Sequence, residues 1–420
     1  MSYRIYSSYL RLNNLAQRLL IVNIDVDNRL NVIIILEYMN DIKPARLVFT
    51  DDCLNSVVGK LNRERVIAVD TESNSLHAYR EKVCLIQFST RQEDFIVDPF
   101  AVGNIDILSS VFSNPCIEKV FHAAEYDLIG LWRDFGWKVN GLFDTMVAAR
   151  TLGWEKVGLA SILSKHYSIP INKKFQRANW AVRPLNDDQL SYAQLDTHYL
   201  LKLRDHLEAT IRKLCQLPEV YEEFERISEA SIRKIRKQGS SWSSNDFWQI
   251  AGARKLSGKN SAVLCELYKY RERIASMRDV PSFRIIGNAV LLDIAKERPP
   301  NVHALSSIKG MTSGQIRRYQ KGILSAIRRG EHAEHPPRPK IRRIDPLISL
   351  RYDSLREWRK LRARKRGVAS DVIVAREVLW NLAKQNPVNH TELRSTQDLG
   401  PWRRKEYGKE ILRVLRDIVP

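Results

Sequence analysis

Apolar and polar positions follow two different periods along this chain. From about residue 47, short β-branched runs predict strands: "RVIAVDTE" (65–72), "EKVCLIQFST" and "DFIVDPF". "EKVFHAAEYDLIGLWRDFG" (118–136) reads as strand, turn and amphipathic helix, and helical spacing returns over 144–153, 159–167 and 187–214. Strands clustered early, with helices interleaved and following, predict a mixed α/β domain. Asn186 has the character of an N-cap, and Asp187 and Asp188 suit the positive end of a helix dipole. "LSYAQLDTHYLL" (190–201) therefore lies on a helix, where Tyr192 and Asp196, four apart, share one face.

After about residue 240 the strand signals fade. "RKQGSSWSSND" (235–246) reads as a linker ending in a helix start, and "EHAEHPPRPKIRRID" (331–345) as a Pro- and charge-rich joint that cannot continue a helix. The flanks of that joint repeat each other at an offset of 88 residues, from Leu267 and from Leu355. Matched pairs include Arg271/Arg359, Arg278/Arg366, Ile285/Ile373, Leu291/Leu379, Pro299/Pro387 and Tyr319/Tyr407, without a gap. These are two copies of one small helical domain, too few for a solenoid. The resulting partition is an N-terminal extension (1–46), an α/β domain (47–235), a first helical domain (244–330), a linker (331–345) and a second helical domain (346–420). Met39 is an alternative start, and "NVIIILEYM" near residue 31 reads as a strand or core segment.

Charge sharpens the partition. The net charge of +20 divides into +1 over residues 1–243, +10 over 244–330 and +9 over 331–420. A basic rear half behind a balanced front predicts a polyanion-binding appendage on a separate functional domain. The matched aromatics Tyr270 and Trp358 are candidates for core packing or for stacking on bases. The five cysteines are scattered with no C-x-x-C, which predicts neither a disulfide framework nor a zinc module. No stretch approaches the ~20 apolar residues of a membrane span, and no signal-peptide pattern opens the chain, so the expected location is cytoplasmic.

The candidate chemistry is acidic. Asp70 and Glu72 sit two apart at the end of a predicted strand, so both carboxylates project from one face. Asp127 follows on a helix among Leu128, Leu131 and Trp132, and Asp196 lies in a similar apolar setting. Like charges held together need a cation, and a set of oxygen ligands suits Mg²⁺ or Mn²⁺ rather than zinc. Two such ions ~3.5–4 Å apart can hold both the attacking and the leaving oxygen of a phosphodiester displacement. Tyr192, one turn from Asp196, is then placed to position the attacking water or to assist its deprotonation.

The ordered set resembles the DEDD superfamily of 3′→5′ exonucleases, and within it ribonuclease D, over roughly residues 47–420. "VDTES" resembles the first exonuclease motif, "FHAAEYDL" the second and "YAQLDTHYLL" the third. The resemblance implies a ribonuclease H-like α/β domain followed by two all-α HRDC domains. It implies Asp70, Glu72, Asp127 and Asp196 as ligands of two divalent ions, with Tyr192 completing the catalytic set. "FQRANWAVRPL" (175–185) is similar to ribonuclease D as well, which makes Trp180 and Arg183 candidate supporting residues. Asn179 departs from the pattern, standing where many relatives have Asp. His122 lies five before Asp127, the spacing of the superfamily's His variant, but in the second motif; it is assigned a packing or supporting part.

The implied function is hydrolytic 3′→5′ exoribonuclease action that releases nucleoside 5′-monophosphates and trims tRNA precursors at single-stranded 3′ ends. No membrane and no obligate protein partner are expected. Two alternatives stand beside it, a DNA 3′→5′ exonuclease and a non-catalytic RNA-binding protein on a decayed exonuclease fold.

Overall fold

A computed structural model describes residues 42–170, 174–237, 243–256, 258–339 and 344–418. The segment around residue 31 and the alternative start at Met39 lie outside the described residues. By its contacts the chain divides after Lys43, and every element below belongs to the unit beginning at Pro44.

Six strands form one mixed sheet: β1 (Arg46–Val48), β2 (Val66–Ser73), β3 (Val83–Ser89), β4 (Asp94–Val97), β5 (Glu118–Phe121) and β6 (Leu142–Asp144), in the order β1-β4-β3-β2-β5-β6. β2 is central, antiparallel to β3 and parallel to β5. Helices α1 (Asp51–Leu61), α2 (Ser109–Ser113), α3 (Glu125–Phe135), α4 (Thr145–Thr151) and α5 (Leu159–Tyr167) follow in chain order. The run expected to be helical over 187–214 divides at Tyr199 into α6 (Asp187–His198) and α7 (Leu200–Lys213), and α8 (Leu217–Lys237) closes the domain. Alternation along β4, and along β3 from Leu85 onward once the irregular start of the strand is passed, sorts their side chains. Val83, Ile86, Phe88, Phe95 and Val97 enter the main core, while Cys84, Leu85 and Ile96 enter a smaller one under α6.

Beyond the sheet come two five-helix units. The first comprises α9 (Gly258–Arg278), α10 (Ser282–Ile285), α11 (Asn288–Glu297), α12 (Val302–Ser306) and α13 (Ser313–His332). The second comprises α14 (Pro346–Arg366), α15 (Ser370–Ile373), α16 (Arg376–Gln385), α17 (His390–Arg394) and α18 (Pro401–Arg416), each starting 88 residues after its counterpart. The identity extends to single bonds. Arg278 Nη1 donates to Tyr319 Oη, and Arg366 Nη1 to Tyr407 Oη, both at 3.0 Å. Tyr270 and Trp358 are both buried in their cores, so these rings pack rather than face a ligand. The expected joint over 331–345 starts two residues late. α13 continues through Glu331 and His332, since the first proline comes only at 336.

The copies dock through different residues. Tyr79, in the β2–β3 loop, packs on the core of the first unit, its hydroxyl donating to Glu272 (3.1 Å) and its amide to Asp279 (3.0 Å). The second unit sits on α8. Arg403 donates to Glu222 (3.0 Å) and pairs with Glu223 (3.1 Å), while Arg366 clasps Glu219 through two bonds of 2.7 and 2.8 Å. Position 400 is glycine because a Cβ there would lie 2.0 Å from Glu222 Cδ. Glu222→Ala leaves the buried Arg403 without its main counter-charge. A loss of about 3–5 kcal/mol in urea denaturation is expected, against no more than ~1 kcal/mol for breaking the exposed Lys60–Glu93 pair.

Candidate active site

Three elements bring the acidic residues together. β2 presents Asp70 and Glu72 from one face, as alternation requires. α6 supplies Asp196, with Tyr192 one turn earlier. Carboxylate oxygens of Asp70, Glu72 and Asp196 all lie within 4.8 Å of one another. Asp127, on the first turn of α3, stands beside this triplet instead of inside it. Its Oδ1 accepts from Thr71 N (3.1 Å) and Thr71 Oγ1 (2.5 Å). Pairing of β2 with β5 ends at Ala68, so past that point the edge of β2 is open to α3.

The scaffold behind these residues is polar. Asp144 accepts from the amides of Ala123 (3.1 Å) and Ala124 (2.7 Å), and it also caps α4 through Met146 N (2.8 Å) and Val147 N (3.1 Å). It thereby fixes the start of α3, where Ala123 takes the left-handed conformation (φ 67°) four residues before Asp127. α6 begins with a capping box, Asn186 with Gln189. It is tied to the sheet through Asp94, which accepts from Gln194 Nε2 (2.6 Å) and pairs with His198 Nδ1 (2.7 Å), and through Ser89 to Thr197 (2.7 Å). These tethers do what an apolar stripe does elsewhere.

The three supporting candidates occupy distinct places. Trp180 is fully buried, its ring 6.0 Å from that of Tyr192, with Phe175 edge-on at 5.9 Å. Arg183 spends its guanidinium on Asp98 (2.5 and 2.9 Å), Trp180 O (2.6 Å) and Cys84 O (2.9 Å), clamping the segment that covers Tyr192 onto the sheet. His122 Nδ1 lies 2.9 Å from Thr145 Oγ1, and burial lowers the imidazole pKa below its ordinary value.

Electrostatics defines what the triplet needs. Burial, then the charges of Asp127, Asp196 and Glu72, hold the Asp70 carboxyl well above the usual carboxylate range. Burial, then Asp196 and Asp127, does the same to Glu72. Asp127 is pushed up to about 7 by burial despite its bonds from Thr71, and Asp196 to about 7 by burial despite a bond from Tyr192. Crowded, desolvated oxygen donors of one sign fit a hard divalent cation such as Mg²⁺ or Mn²⁺.

With these pKa values raised by folding, the metal-free folded state keeps protons that the unfolded chain releases above about pH 4. This contribution is present below pH 4 and is lost as pH rises toward 7. Metal-free protein is expected to melt several degrees higher at pH 5.5 than at pH 7.5, and Mn²⁺ to raise the melting temperature more at pH 7.5. Asp196→Asn should flatten that slope in thermal melts.

Residues 45–212 match the 3′-5′ exonuclease family, and residues 260–327 and 350–415 each match the HRDC domain. The chain carries a DEDD-type 3′-5′ exonuclease domain followed by two HRDC domains. Protein RRP6-like 1 of Arabidopsis thaliana is 32% identical over 295 residues, covering 68% of this chain and 46% of that protein. Exosome complex exonuclease RRP6 of Saccharomyces cerevisiae is 31% identical over 67% of this chain and 40% of its own length. The chain thus spans less than half the length of these curated relatives. Among solved structures, Escherichia coli RNase D, an exoribonuclease involved in structured RNA processing, superposes with a TM-score of 0.67 at 21% identity, covering 90% of this chain and 100% of that one. The catalytic core of RRP6 from Trypanosoma brucei gives 0.59 at 29% identity, over 68% of this chain and 79% of that one. The fold is that of RNase D, an α/β exonuclease domain followed by helical HRDC domains. No helix among the described residues is long and apolar enough to cross a membrane.

Proposed function

We propose that this protein is a cytoplasmic 3′→5′ exoribonuclease that trims 3′ trailers from tRNA precursors, with two divalent ions held by Asp70, Glu72, Asp127 and Asp196. The observation that carries the reading is the convergence of three carboxylates within 4.8 Å in an exonuclease-family domain that two basic HRDC domains follow. Divalent ions bound there supply the positive charge that a phosphodiester displacement needs at its attacking and leaving oxygens.

The side chains divide the remaining work. Burial and the charges of Asp196, Glu72 and Asp70 hold the Tyr192 phenol protonated, far above its ordinary range. Tyr192, one turn from Asp196, is placed to orient the attacking water. Trp180 and Arg183 keep the cover segment against Tyr192, and His122 supports the end of β5 from its place beside Thr145.

The HRDC domains hold the body of the RNA through its phosphates. Deleting 331–420 would uncover Glu219 and Glu222, so charge substitution is the cleaner probe. Replacing the exposed Arg364, Lys365, Lys405 and Lys409 by Ser should weaken tRNA binding. It should also flatten the plot of log affinity against log salt by about 0.7–0.9 for each phosphate that is no longer neutralised. Affinities measured at 50 and 200 mM salt check this.

The function is tested by comparing initial rates on a 3′-extended tRNA and on a duplex DNA with a 3′ overhang, with Mg²⁺ or Mn²⁺. Faster shortening of the RNA is expected. Preference for the DNA would favour the alternative nuclease, and activity on neither would leave an RNA-binding protein.

A further inference from the structure

We infer that Glu81, outside the carboxylate cluster and on the β2–β3 loop, is a positioning residue that holds the two acidic elements of the active site against their mutual repulsion. The inference rests on the exonuclease reading above for its metal-binding cluster.

Glu72 is the last residue but one of β2 and Asp127 lies in the first turn of α3, so the strand and the helix present like charges to one site. Inside the site, only the two bonds from Thr71 to Asp127 Oδ1 join them among the described residues. Outside it, Glu81 gathers donors from both elements. Its Oε1 accepts from Ser73 Oγ (2.8 Å), the residue after Glu72, and from Tyr126 Oη, the residue before Asp127. Its Oε2 accepts from Arg133 Nη1 (2.6 Å), two turns further along α3.

The tie extends to β3. Arg133 also pairs with Asp134 (2.7 and 3.0 Å), and Asp134 Oδ2 accepts from Val83 N (2.6 Å) at the start of that strand. The loop carrying Glu81 is itself closed by Asn74, whose Oδ1 accepts from Lys82 N (2.8 Å). Packing is close here: a Cβ on Gly130 of α3 would stand 3.1 Å from Val83 Cγ2. The register of β2 against β3 also shifts between Glu72 and Ser73, so the strand leaves regular pairing where Glu81 takes hold of it. One carboxylate thus bonds the neighbours of two predicted metal ligands on separate elements. Residues that orient ligands without touching the metal typically change its affinity by about 10–100-fold when removed.

The test measures Mn²⁺ affinity without RNA, from the rise in melting temperature of the full chain, for wild type, Glu81→Ala, Glu81→Gln and Tyr126→Phe. Glu81→Ala should need about tenfold more Mn²⁺. Glu81→Gln, which keeps an acceptor for Ser73 and Tyr126 but loses the charge facing Arg133, should fall between. Tyr126→Phe added to Glu81→Ala should cost little more, because both remove the same link. In turnover on a short oligoribonucleotide, kcat should drop at saturating RNA with KM unchanged. Should Glu81→Ala fail to fold, Glu81→Gln and Tyr126→Phe carry the test. Wild-type Mn²⁺ affinity in these variants overturns the inference whatever the RNA assay shows. Weakened Mn²⁺ binding in the variants supports it even where wild type shortens no RNA, a result that overturns the proposed function alone. A wild-type protein that binds no Mn²⁺ overturns both.

Discussion

Asp70→Asn is expected to slow 3′-end shortening by about a thousandfold or more, while the protein still folds and binds RNA. Asp70 is the most crowded of the acidic residues, with its charge raised in cost by Asp127, Asp196 and Glu72 together. Asparagine keeps the shape and one carbonyl oxygen but removes the charge that holds a cation. Charge stabilisation of a phosphodiester transition state by bound metal is worth several kcal/mol, and each ~1.4 kcal/mol is a factor of ten in rate. The substitution should also relieve repulsion, so the metal-free variant melts above metal-free wild type at pH 7.5. Equal turnover in the two proteins would remove Asp70 from the metal site.

Tyr192→Phe should act differently. The ring keeps its place against Trp180 and Phe175, so melting temperature and Mn²⁺ affinity stay near wild type. Only the hydroxyl that meets Asp196 is removed. Misplacing a nucleophile by about 1 Å costs on the order of a hundredfold, and that drop in kcat is expected with little change in KM. A variant as fast as wild type would mean that the water is oriented by other groups.

The chain's local patterns anticipated much of this arrangement, because those patterns are governed by neighbours in sequence. Alternation along "VIAVDTE" placed Asp70 and Glu72 on one face, and the four-residue spacing placed Tyr192 beside Asp196. The 88-residue repeat was legible to the level of single helices. What was not legible depends on contacts between distant segments. Nothing near Asp127 announces Thr71 as its partner, 56 residues away. Asp144 caps α4, and nothing around it announces that it also fixes the start of α3, 20 residues before it. Gln194 and His198 meet Asp94, which arrives from β4 about a hundred residues earlier in the chain. Glu81 belongs to a charged loop tip in sequence and to the edge of the site in space. Arg183 was legible as part of a motif, but only the fold shows its guanidinium committed to Asp98 and three backbone carbonyls.

The two HRDC copies follow the same rule where they dock. Asp279 of the first corresponds to Gly367 of the second, and Gln315 to Arg403. Asp279 and Arg403 thus fasten their copies at positions where the repeat diverges, whereas Arg366 docks the second copy at a position the repeat keeps as Arg278.

Whether the gathered carboxylates form a metal-dependent 3′-exonucleolytic centre is decided by one time course. A 5′-labelled tRNA with a 3′ extension is incubated with wild-type protein in Mn²⁺ and in EDTA, with analysis of the released nucleotides. Stepwise shortening from the 3′ end is expected, with nucleoside 5′-monophosphates as products, in Mn²⁺ alone. Internal cleavage, shortening that persists in EDTA, or RNA left intact in Mn²⁺ would contradict such a centre.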